Sequence, residues 1–449
     1  MDRAMKEPIR AVIIGAGHRS LVYASYALKH PGELQITGVA DPDELRRRQT
    51  AEKFNIPAEN CFESAEALAA APKMGVAAIN GTMDHQHVET SLPLLEAGYD
   101  LLLEKPFATH EEEMWKLAEA ARRLKRKVMI CHVLRHAPFY AAIRQKLAEG
   151  AVGDIINIQT TEHVSFHHIA VSFVRGKHAS KAKCKASMLL SKCCHDLDLI
   201  TWMRGAVDPV SVASFGSRSF FRPEGAPEGA GRHCLLDCPA EVESACLYSA
   251  RKHYLDNPDR WSFYVWAGLE EKENPTLEEK EAYLRREDNP YGRCVFHHDN
   301  DVVDRQSVVV EFEDGSTATH NMIGGTAKSS RSIHIIGTRG EILGCLEDSK
   351  FTVRTIQAAP GRDYDEDLVD LSVTGDMHGA FGGHGGGDQR LVADFTRVLR
   401  GEMASLSTTS LEDSLSGHLL CYLADQAMEE RRVVPVPREK LTRFRQPVG

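Results

Sequence analysis

The sequence predicts an α/β protein with an N-terminal doubly wound parallel sheet and a C-terminal α/β domain built on a mostly antiparallel sheet. Three observations support this: the length of 449 residues, apolar runs alternating with amphipathic stretches, and a change of pattern after Val133. Because one hydrophobic core rarely organises so long a chain, two domains are expected. We place them at 1–133 and 134–449.

The first domain contains five apolar runs with little polar alternation, as is typical of parallel strands covered on both faces. They are "IRAVIIG", "LQITGVAD", "GVAAING", "DLLLEKP" and "KVMICHV". Stretches such as "EEEMWKLAEAARRLKRK" lie between them and predict crossover helices.

The second domain reads as strands joined by hairpins. Its strand-like segments are "DIINIQTTEHVSF", "PVSVASFGSRSFF", "RQSVVVEFEDGSTATHNMIG", "SSRSIHIIGTRGEILGCL" and "KFTVRTIQAA". The turns "EDGS" and "TRGE" contain a glycine suited to a hairpin. A polar, helical-looking insertion with clustered cysteines occupies about 222–299, and two helices and a short strand, "VVPVP", follow near the end.

Composition excludes several classes of protein. The chain is 42% hydrophobic and 26% charged, as globular proteins are, and its net charge of -10 argues against nucleic-acid or acidic-membrane partners. No apolar run approaches the roughly 20 residues of a membrane span, and the first residues lack the apolar core of a secretion signal. We therefore expect a cytoplasmic protein whose eleven cysteines are reduced or bind metal.

The stretch "AVIIGAGHRS" predicts a nucleotide-binding turn. Apolar residues lead into Gly15 and Gly17, but Ser20 replaces the third glycine of the usual motif. Gly17 would let the backbone approach a pyrophosphate, and His18 and Arg19 could contact phosphate.

Asp41 strengthens this prediction, because it ends the second strand near the spacing of about 20 residues at which an acid meets the adenosine ribose. An acid there favours NAD, since it would repel a 2′-phosphate. NADP remains an alternative, because Arg46 and Arg47 lie close to Asp41 in the sequence. The alternative is a structural turn with Asp41 as a helix cap.

Candidate catalytic residues occur in two further motifs. In "LLLEKPFA", Glu104, Lys105 and Pro106 follow a strand, where a lysine can stabilise a developing alkoxide and a cis bond before proline is an option. In "MLLSKCCHDLDLITWM", helical spacing puts Ser191, His195, Asp198 and Trp202 on one stripe. His195 suits removal of a hydroxyl proton; the alternatives are an exposed loop and a buried histidine capped by Asp198.

The pieces "GAGHR", "VADPD", "GTMDHQH", "EKPFA" and "HDLD" together resemble the Gfo/Idh/MocA family, the glucose–fructose oxidoreductase and inositol dehydrogenase group. The resemblance implies an N-terminal Rossmann domain, a C-terminal domain with a large open sheet, chemistry on polyols or sugars, and a homo-oligomer formed through the C-terminal sheets.

The resemblance also implies roles for individual residues. The family's catalytic lysine and histidine match Lys105 and His195. The family aspartate four residues before the histidine is replaced by Ser191, with Lys192 beside it. The expected cofactor-binding residues are Gly15, Gly17, His18, Arg19, Asp41, His87, Glu104 and Lys105.

Several residues are candidates for binding the substrate. "GGHGGGDQR" places His384 and Asp388 around three glycines and is similar to an "H-G-G-x-D" segment of NAD-dependent α-N-acetylgalactosaminidases on the same fold. Such a loop suits vicinal sugar hydroxyls; the alternative is a glycine turn with a capping aspartate. The other candidates are Asp198, Lys192, Arg135 and His163.

The insertion predicts a structural metal site. Cys234, Cys238, Cys246 and Cys294 could supply thiolates to Zn²⁺. Free thiols are the main alternative, and an iron–sulfur cluster is another.

The sequence therefore predicts an NAD-dependent oxidoreductase that transfers a hydride between a secondary alcohol of a sugar or glycoside, with C3 as the reacting carbon, and the nicotinamide. The alternative is an NAD-dependent glycoside hydrolase that oxidises, eliminates, hydrates and reduces while retaining NAD. A non-catalytic sensor of NAD(H) or sugar is a third class, against which the presence of Lys105 and His195 argues.

Overall fold

A six-stranded parallel sheet forms the N-terminal part of the computed structural model, which describes residues 7–257, 262–372 and 386–445. Its strands are β1 (Ile9–Ile14), β2 (Leu34–Ala40), β3 (Cys61–Phe62), β4 (Ala77–Asn80), β5 (Asp100–Leu103) and β6 (Val128–Ile130). They pair in the order β3-β2-β1-β4-β5-β6. This is the order of doubly wound dinucleotide-binding sheets, so the predicted fold of the first domain is confirmed.

Helices cover both faces of this sheet. They are α1 (His18–Ala24), α2 (Tyr26–Lys29), α3 (Glu44–Phe54), α4 (Ala65–Ala70), α5 (His87–Glu96) and α6 (Glu111–Leu124). Along β1, Val12 and Ile14 enter one apolar core, whereas Ala11 and Ile13 enter the core on the other face. Burial on both faces explains why the strand sequences are continuously apolar.

A nine-stranded sheet dominates the C-terminal part. Its strands are β7 (Ile155–Ser165), β8 (Pro209–Ser217), β9 (Arg305–Phe312), β10 (Thr317–Thr326), β11 (Ser330–Gly337), β12 (Gly340–Cys345), β13 (Lys350–Ala359), β14 (Arg362–Asp370) and β15 (Val434–Pro435). The order is β14-β13-β12-β11-β7-β10-β9-β8-β15. Only the pair β7–β10 is parallel, so the predicted mostly antiparallel sheet is confirmed.

The predicted hairpins at "EDGS" and "TRGE" join β9 to β10 and β11 to β12. The helices of this part are α7 (Pro138–Ala148), α8 (Phe166–Ile169), α9 (Lys181–Cys184), α10 (Cys194–Arg204), α11 (Ala240–Ala245), α12 (Leu277–Leu284), α13 (Gly387–Leu399), α14 (Leu411–Glu430) and α15 (Arg438–Arg445). α10 and α14 pack against each other and against the inner face of the large sheet.

The helix α13 connects the two parts of the chain. Its residues Leu391, Val392 and Phe395 are buried in the same core as Ala11 and Ile13 of β1. The segment 134–449 therefore completes the core of the N-terminal domain as well as forming the second sheet.

The insertion has short helices and its own small core. That core consists of Val171, Cys234, Leu235, Ala250, Tyr254, Leu255, Val265 and Leu284. All eleven cysteines are free thiols. Among the residues that the structure describes, no helix combines the length and the apolar character needed to cross a bilayer.

Candidate active site

The glycine turn after β1 has the conformation that its motif requires. Gly15 has a φ of +74°, and a Cβ on it would lie 2.9 Å from the Thr82 Cα, so only glycine fits. Gly17 precedes α1, and a Cβ on Gly17 would contact nothing within 4 Å. The backbone of the turn is therefore accessible where the pyrophosphate lies in sheets of this order.

Ser20, which replaces the third glycine, is fully buried beside the end of β4. A Cβ on Gly81 would collide with the Ser20 Oγ. Gly81 thus supplies the space that the missing glycine would provide, and α1 still packs closely on the sheet.

The Asp41 carboxylate lies directly beside the glycine turn. Its Oδ2 accepts a hydrogen bond from the Ala16 amide at 2.6 Å, and its Oδ1 accepts one from the Asp43 amide at 2.8 Å. Asp43, not Asp41, caps α3 by accepting from the Arg46 amide. The capping alternative for Asp41 is therefore wrong, and the acid stands where ribose hydroxyls are bound in such sheets.

Both arginines after Asp41 have partners within the protein. The Arg47 Nη1 donates to the Asp41 carbonyl oxygen at 2.6 Å. The Arg46 guanidinium forms a two-pronged ion pair with Glu270, at 3.1 and 3.0 Å.

Arg19, Glu104 and Asp388 form an ion-pair network between α1, the end of β5 and α13. The Arg19 Nε lies 3.3 Å from the Glu104 Oε1, and its Nη2 lies 2.5 Å from the Asp388 Oδ1. Burial would raise the pKa of Glu104, but Arg19, Lys105 and Tyr23 outweigh burial, so its pKa is lowered. We expected Arg19 at the phosphate and Asp388 at the substrate, and the structure joins the two to each other.

His87 is fully buried and is placed against backbone carbonyl groups. Its Nδ1 lies 2.7 Å from the Pro106 oxygen and its Nε2 3.2 Å from the Thr82 oxygen. The Nδ1 contact joins His87 to the segment that carries Lys105. The expected contact of His87 with the cofactor stays a prediction. The peptide bond between Lys105 and Pro106 is cis.

Lys105 reaches the π-helical turn Leu189–Cys193, which directly precedes α10 and His195. The Lys105 Nζ donates to the Ser191 carbonyl oxygen at 2.9 Å, and His195 lies in the first turn of α10. The two predicted catalytic residues are therefore brought to one place from different domains. The Ser191 Oγ is buried without a hydrogen-bond partner among the described residues.

His132 stands next to His195, with the ring centroids 5.5 Å apart and the rings edge to face. Burial and the charges of Arg135 and Lys105 lower the pKa of His132 well below its usual value. His132 is therefore a neutral neighbour of His195.

Arg135 and Asp198 bind each other rather than facing a substrate. The Arg135 Nε and Nη2 donate to the two carboxylate oxygens of Asp198 at 2.7 and 2.5 Å, and both side chains are buried. Their expected role in substrate binding stays a prediction.

Lys192 begins a buried chain of alternating charges. Its Nζ lies 3.2 Å from the Glu162 Oε1, the Glu162 Oε2 lies 2.6 Å from the Arg331 Nε, and that nitrogen lies 3.1 Å from the Asp196 Oδ1. Burial lowers the pKa of Lys192, and the Glu162 charge only partly opposes it. The network fixes the lysine three residues before His195.

His163 lies on the opposite face of the large sheet from Glu162, its neighbour in β7. It pairs across the strands with Ser330, whose Oγ is 3.0 Å from the His163 Nδ1. Because alternate residues of a strand face opposite sides, His163 points away from the buried ion network of Glu162. Its role in substrate binding stays a prediction.

The four cysteines of the insertion do not form one ligand set. Arg175 lies among them, and its Nη2 donates to the Cys234 Sγ at 3.4 Å. Its positive charge acts to lower the pKa of the Cys246 and Cys294 thiols. Burial raises the pKa of Cys238, Cys246 and Cys294, which favours the thiol form. A buried guanidinium and the apolar core hold this region. The zinc site stays a prediction.

In the part of the chain that the structure describes, three ligand atoms within 4.8 Å of one another occur at Cys193, Asp196 and His320. Arg331 already pairs with Asp196. A metal ion there would therefore face a guanidinium. His384 lies outside the described residues.

Sequence reasoning missed Glu162 and Arg331, and also a cluster around Asp84. The Asp84 carboxylate lies 3.9 Å from the Lys177 Nζ and 3.7 Å from the His178 Nδ1. Burial lowers the pKa of His178 to about 4 despite Asp84. The motif "GTMDHQH" contains Asp84 and was the one signal that could have found it.

Comparison with known families identifies the class of protein. The oxidoreductase family with an NAD-binding Rossmann fold matches residues 9–132, and the C-terminal α/β domain of the same family matches residues 144–436. The chain belongs to the Gfo/Idh/MocA oxidoreductase family. This confirms the predicted family, fold class and oxidoreductase class.

Individual relatives are more distant. The Bacillus subtilis protein YteT is 23% identical over 80% of this chain and 81% of its own length. Bovine trans-1,2-dihydrobenzene-1,2-diol dehydrogenase is 28% identical over 47% of this chain and 60% of its own length, and inositol 2-dehydrogenase of Corynebacterium glutamicum is 22% identical over 45% and 56%. This chain thus spans little more than half of those two enzymes.

Solved structures share the fold over nearly the whole chain. Levoglucosan dehydrogenase in complex with NADH and levoglucosan superposes with a TM-score of 0.67 at 17% identity, covering 96% of this chain and 100% of that one. An Agrobacterium radiobacter oxidoreductase in complex with NAD⁺, L-tartaric acid and magnesium gives a TM-score of 0.66 at 14% identity, covering 96% and 99%.

Proposed function

We propose that this chain is an NAD-dependent oxidoreductase that moves a hydride between a secondary alcohol of a sugar or glycoside and the nicotinamide. The observation that carries the proposal is the convergence of Lys105 and His195 at the π-helical turn before α10. Lys105 follows a strand of the parallel sheet, and ligands of such sheets bind outside the carboxyl ends of the strands.

The site fits a dinucleotide. Gly15 and Gly17 would hold the pyrophosphate, since a Cβ on Gly17 would meet no protein atom, and the Asp41 carboxylate would hold the adenosine ribose. When bound there, NAD supplies the acceptor for the hydride.

Residues of the protein would stabilise the charge on the substrate oxygen and transfer the hydroxyl proton. The Lys105 ammonium would donate to the substrate oxygen and stabilise the negative charge that develops on it. His195 would take the hydroxyl proton, and in the reverse direction return it. Lys192, held by Glu162, would bind a neighbouring hydroxyl of the substrate.

The names of similar proteins support the proposed substrate class. Dihydrobenzenediol, inositol and levoglucosan all appear in the names of similar proteins. We take a pyranoside with C3 as the reacting carbon as the substrate.

A second candidate is a glycoside hydrolase that oxidises the sugar, eliminates the aglycone, adds water and reduces the product within one cycle. The observation that favours it is Ser191, which offers no carboxylate to relay the proton from His195 to solvent. A reaction that returns the same proton to the sugar has less need of such a relay.

Mass spectrometry of a panel of α- and β-glycosides, incubated with the pure protein and NAD⁺, tests both candidates. Products lighter by two hydrogens with accumulating NADH support the dehydrogenase. Free aglycone and unoxidised sugar without net NADH support the hydrolase. The absence of both kinds of product for every member of the panel would contradict the proposal.

We also infer a cytoplasmic homo-oligomer formed through the outer face of the large sheet. Exposed apolar side chains lie on that face, namely Phe215, Val309, Ile323, Ile356, Tyr364 and Leu368. Apolar side chains exposed on a sheet face are available for an interface between subunits.

A further inference from the structure

Part of the insertion lies along the cofactor side of the N-terminal domain. We name residues 262–270 the strap. At one end of the strap, the Phe263 ring is 5.0 Å from the ring of His18, directly after the glycine turn, and the Tyr264 ring is 6.4 Å from it. At the other end, Glu270 holds Arg46. The strap therefore runs from the expected position of the pyrophosphate to that of the adenosine ribose.

Both ends of the strap lie near charged groups of the site. Burial raises the pKa of Tyr264. The charge of Arg19 lowers this pKa, and the charges of Glu104 and Asp84 raise it further. The pKa of Arg46 is raised first by its bond to Glu270 and further by the charge of Asp41. Arg46 is thus close to the acid that would bind the ribose.

The position of Arg46 matters for the choice of dinucleotide. NADP differs from NAD by a phosphate on the adenosine ribose, and a guanidinium near that ribose is the usual partner of the phosphate. Arg46 stands in that region, but both its Nε and its Nη2 are engaged by Glu270. A second arginine, Arg47, is engaged by the Asp41 carbonyl group.

We propose that Glu270 is a specificity-determining residue, which makes the site select NAD by occupying Arg46 with a carboxylate from the strap. A 2′-phosphate would have to displace Glu270 and would meet the negative charges of both Glu270 and Asp41. The inference rests on the proposed function only in requiring that a dinucleotide binds at the glycine turn.

Calorimetric titration of the full chain with NAD⁺ and with NADP⁺ tests the proposal without using turnover. The wild type should bind NAD⁺ at least tenfold more tightly than NADP⁺. Glu270→Gln should tighten NADP⁺ binding about tenfold and change NAD⁺ binding less than threefold. In Arg46→Gln/Glu270→Gln, the gain for NADP⁺ should disappear. Glu271→Gln, an exposed neighbour in the same insertion, is the matched control and should change neither affinity.

The outcomes separate this proposal from the proposed function. If Glu270→Gln leaves NADP⁺ binding unchanged, or shifts both dinucleotides equally, Glu270 does not set specificity although NAD still binds. Tighter binding of NADP⁺ than of NAD⁺ by the wild type would also overturn the proposal that Glu270 sets specificity. If the wild type binds neither dinucleotide, the proposed function fails as well.

Discussion

His195 is the residue on which the proposed chemistry depends most. His195→Ala should lower the rate of hydride transfer by roughly 100- to 10,000-fold, the usual contribution of a positioned general base. Binding of NAD⁺ should persist, because the glycine turn and Asp41 are unchanged. Single-turnover measurement of NADH formation, with NAD⁺ affinity measured in parallel, checks both expectations.

His163→Ala is the matched control for this variant, because His163 lies on the other face of the large sheet. The rate of hydride transfer in His163→Ala should equal that of the wild type. Undiminished hydride transfer in His195→Ala would remove His195 as the base.

Buried histidines make the stability of the protein depend on pH. Burial lowers the pKa of His418 to about 3, and its ring stacks on Phe107 with the centroids 3.9 Å apart. The unfolded chain, with a histidine pKa of about 6.5, binds the proton more readily than the folded one. Stability is therefore full above about pH 6.5 and falls as the pH decreases toward 3, by at most about 1.4 kcal/mol per pH unit for this histidine.

Urea unfolding at several pH values checks this expectation. His418→Asn should give a shallower decline between pH 6.5 and 4 than the wild type. The same substitution at exposed His110 should leave the slope unchanged. A decline of stability with pH in His418→Asn that is as steep as in the wild type would contradict the account.

Among the structural elements, the large sheet contributes one buried ion network to the site. Arg331 in β11 joins Glu162 in β7 to Asp196 in α10. Because its removal leaves two buried carboxylates with one cation, Arg331→Met should lower the free energy of unfolding by about 3–5 kcal/mol. Equilibrium unfolding in urea measures the loss.

Arg354→Met in β13 is the control on the same sheet. Arg354 pairs with Glu341 and Glu366 near the surface, where ion pairs contribute little, so its loss should be much smaller. Equal losses in the two variants would show that the buried network does not stabilise the fold.

Sequence patterns predicted elements well where burial imposed a regular pattern. The strands β1, β2, β4, β5 and β6 were predicted because burial on both faces makes them continuously apolar. β14 was missed because its sequence, "RDYDEDLVD", belongs to a largely exposed edge strand with no apolar alternation. The π-helical turn before α10 was missed because residue periodicity does not distinguish it from an α-helix.

At the scale of the whole molecule, the residues of the site come from distant parts of the chain. Lys105 and His195 could be predicted because each carries a local motif. The partners of Lys192, Arg135 and Arg19 could not, because tertiary folding alone brings Glu162, Asp198 and Asp388 to them. The position of Arg175 among the cysteines of the insertion could not be predicted either, because it too depends on tertiary folding.

The outer face of the large sheet predicts the assembly state. Ile323→Glu would replace an exposed apolar side chain of the outer face by a charge, so the mass in light scattering should fall from that of an oligomer to that of one chain. Met403→Glu, at a residue 86% exposed outside this face, should leave the mass unchanged. A wild-type protein with the mass of one chain would contradict the inference.

The central claim is that a hydride passes between a sugar carbon and NAD at the site of Lys105 and His195. The most direct measurement is mass spectrometry of the cofactor after incubation of the protein and NAD⁺ with glycosides deuterated at every sugar carbon. We predict one deuterium in the nicotinamide ring with the wild type, and deuterium transfer that is slower by roughly 100- to 10,000-fold with His195→Ala. An oxidised sugar product formed by the wild type while its cofactor remains free of deuterium would contradict the account.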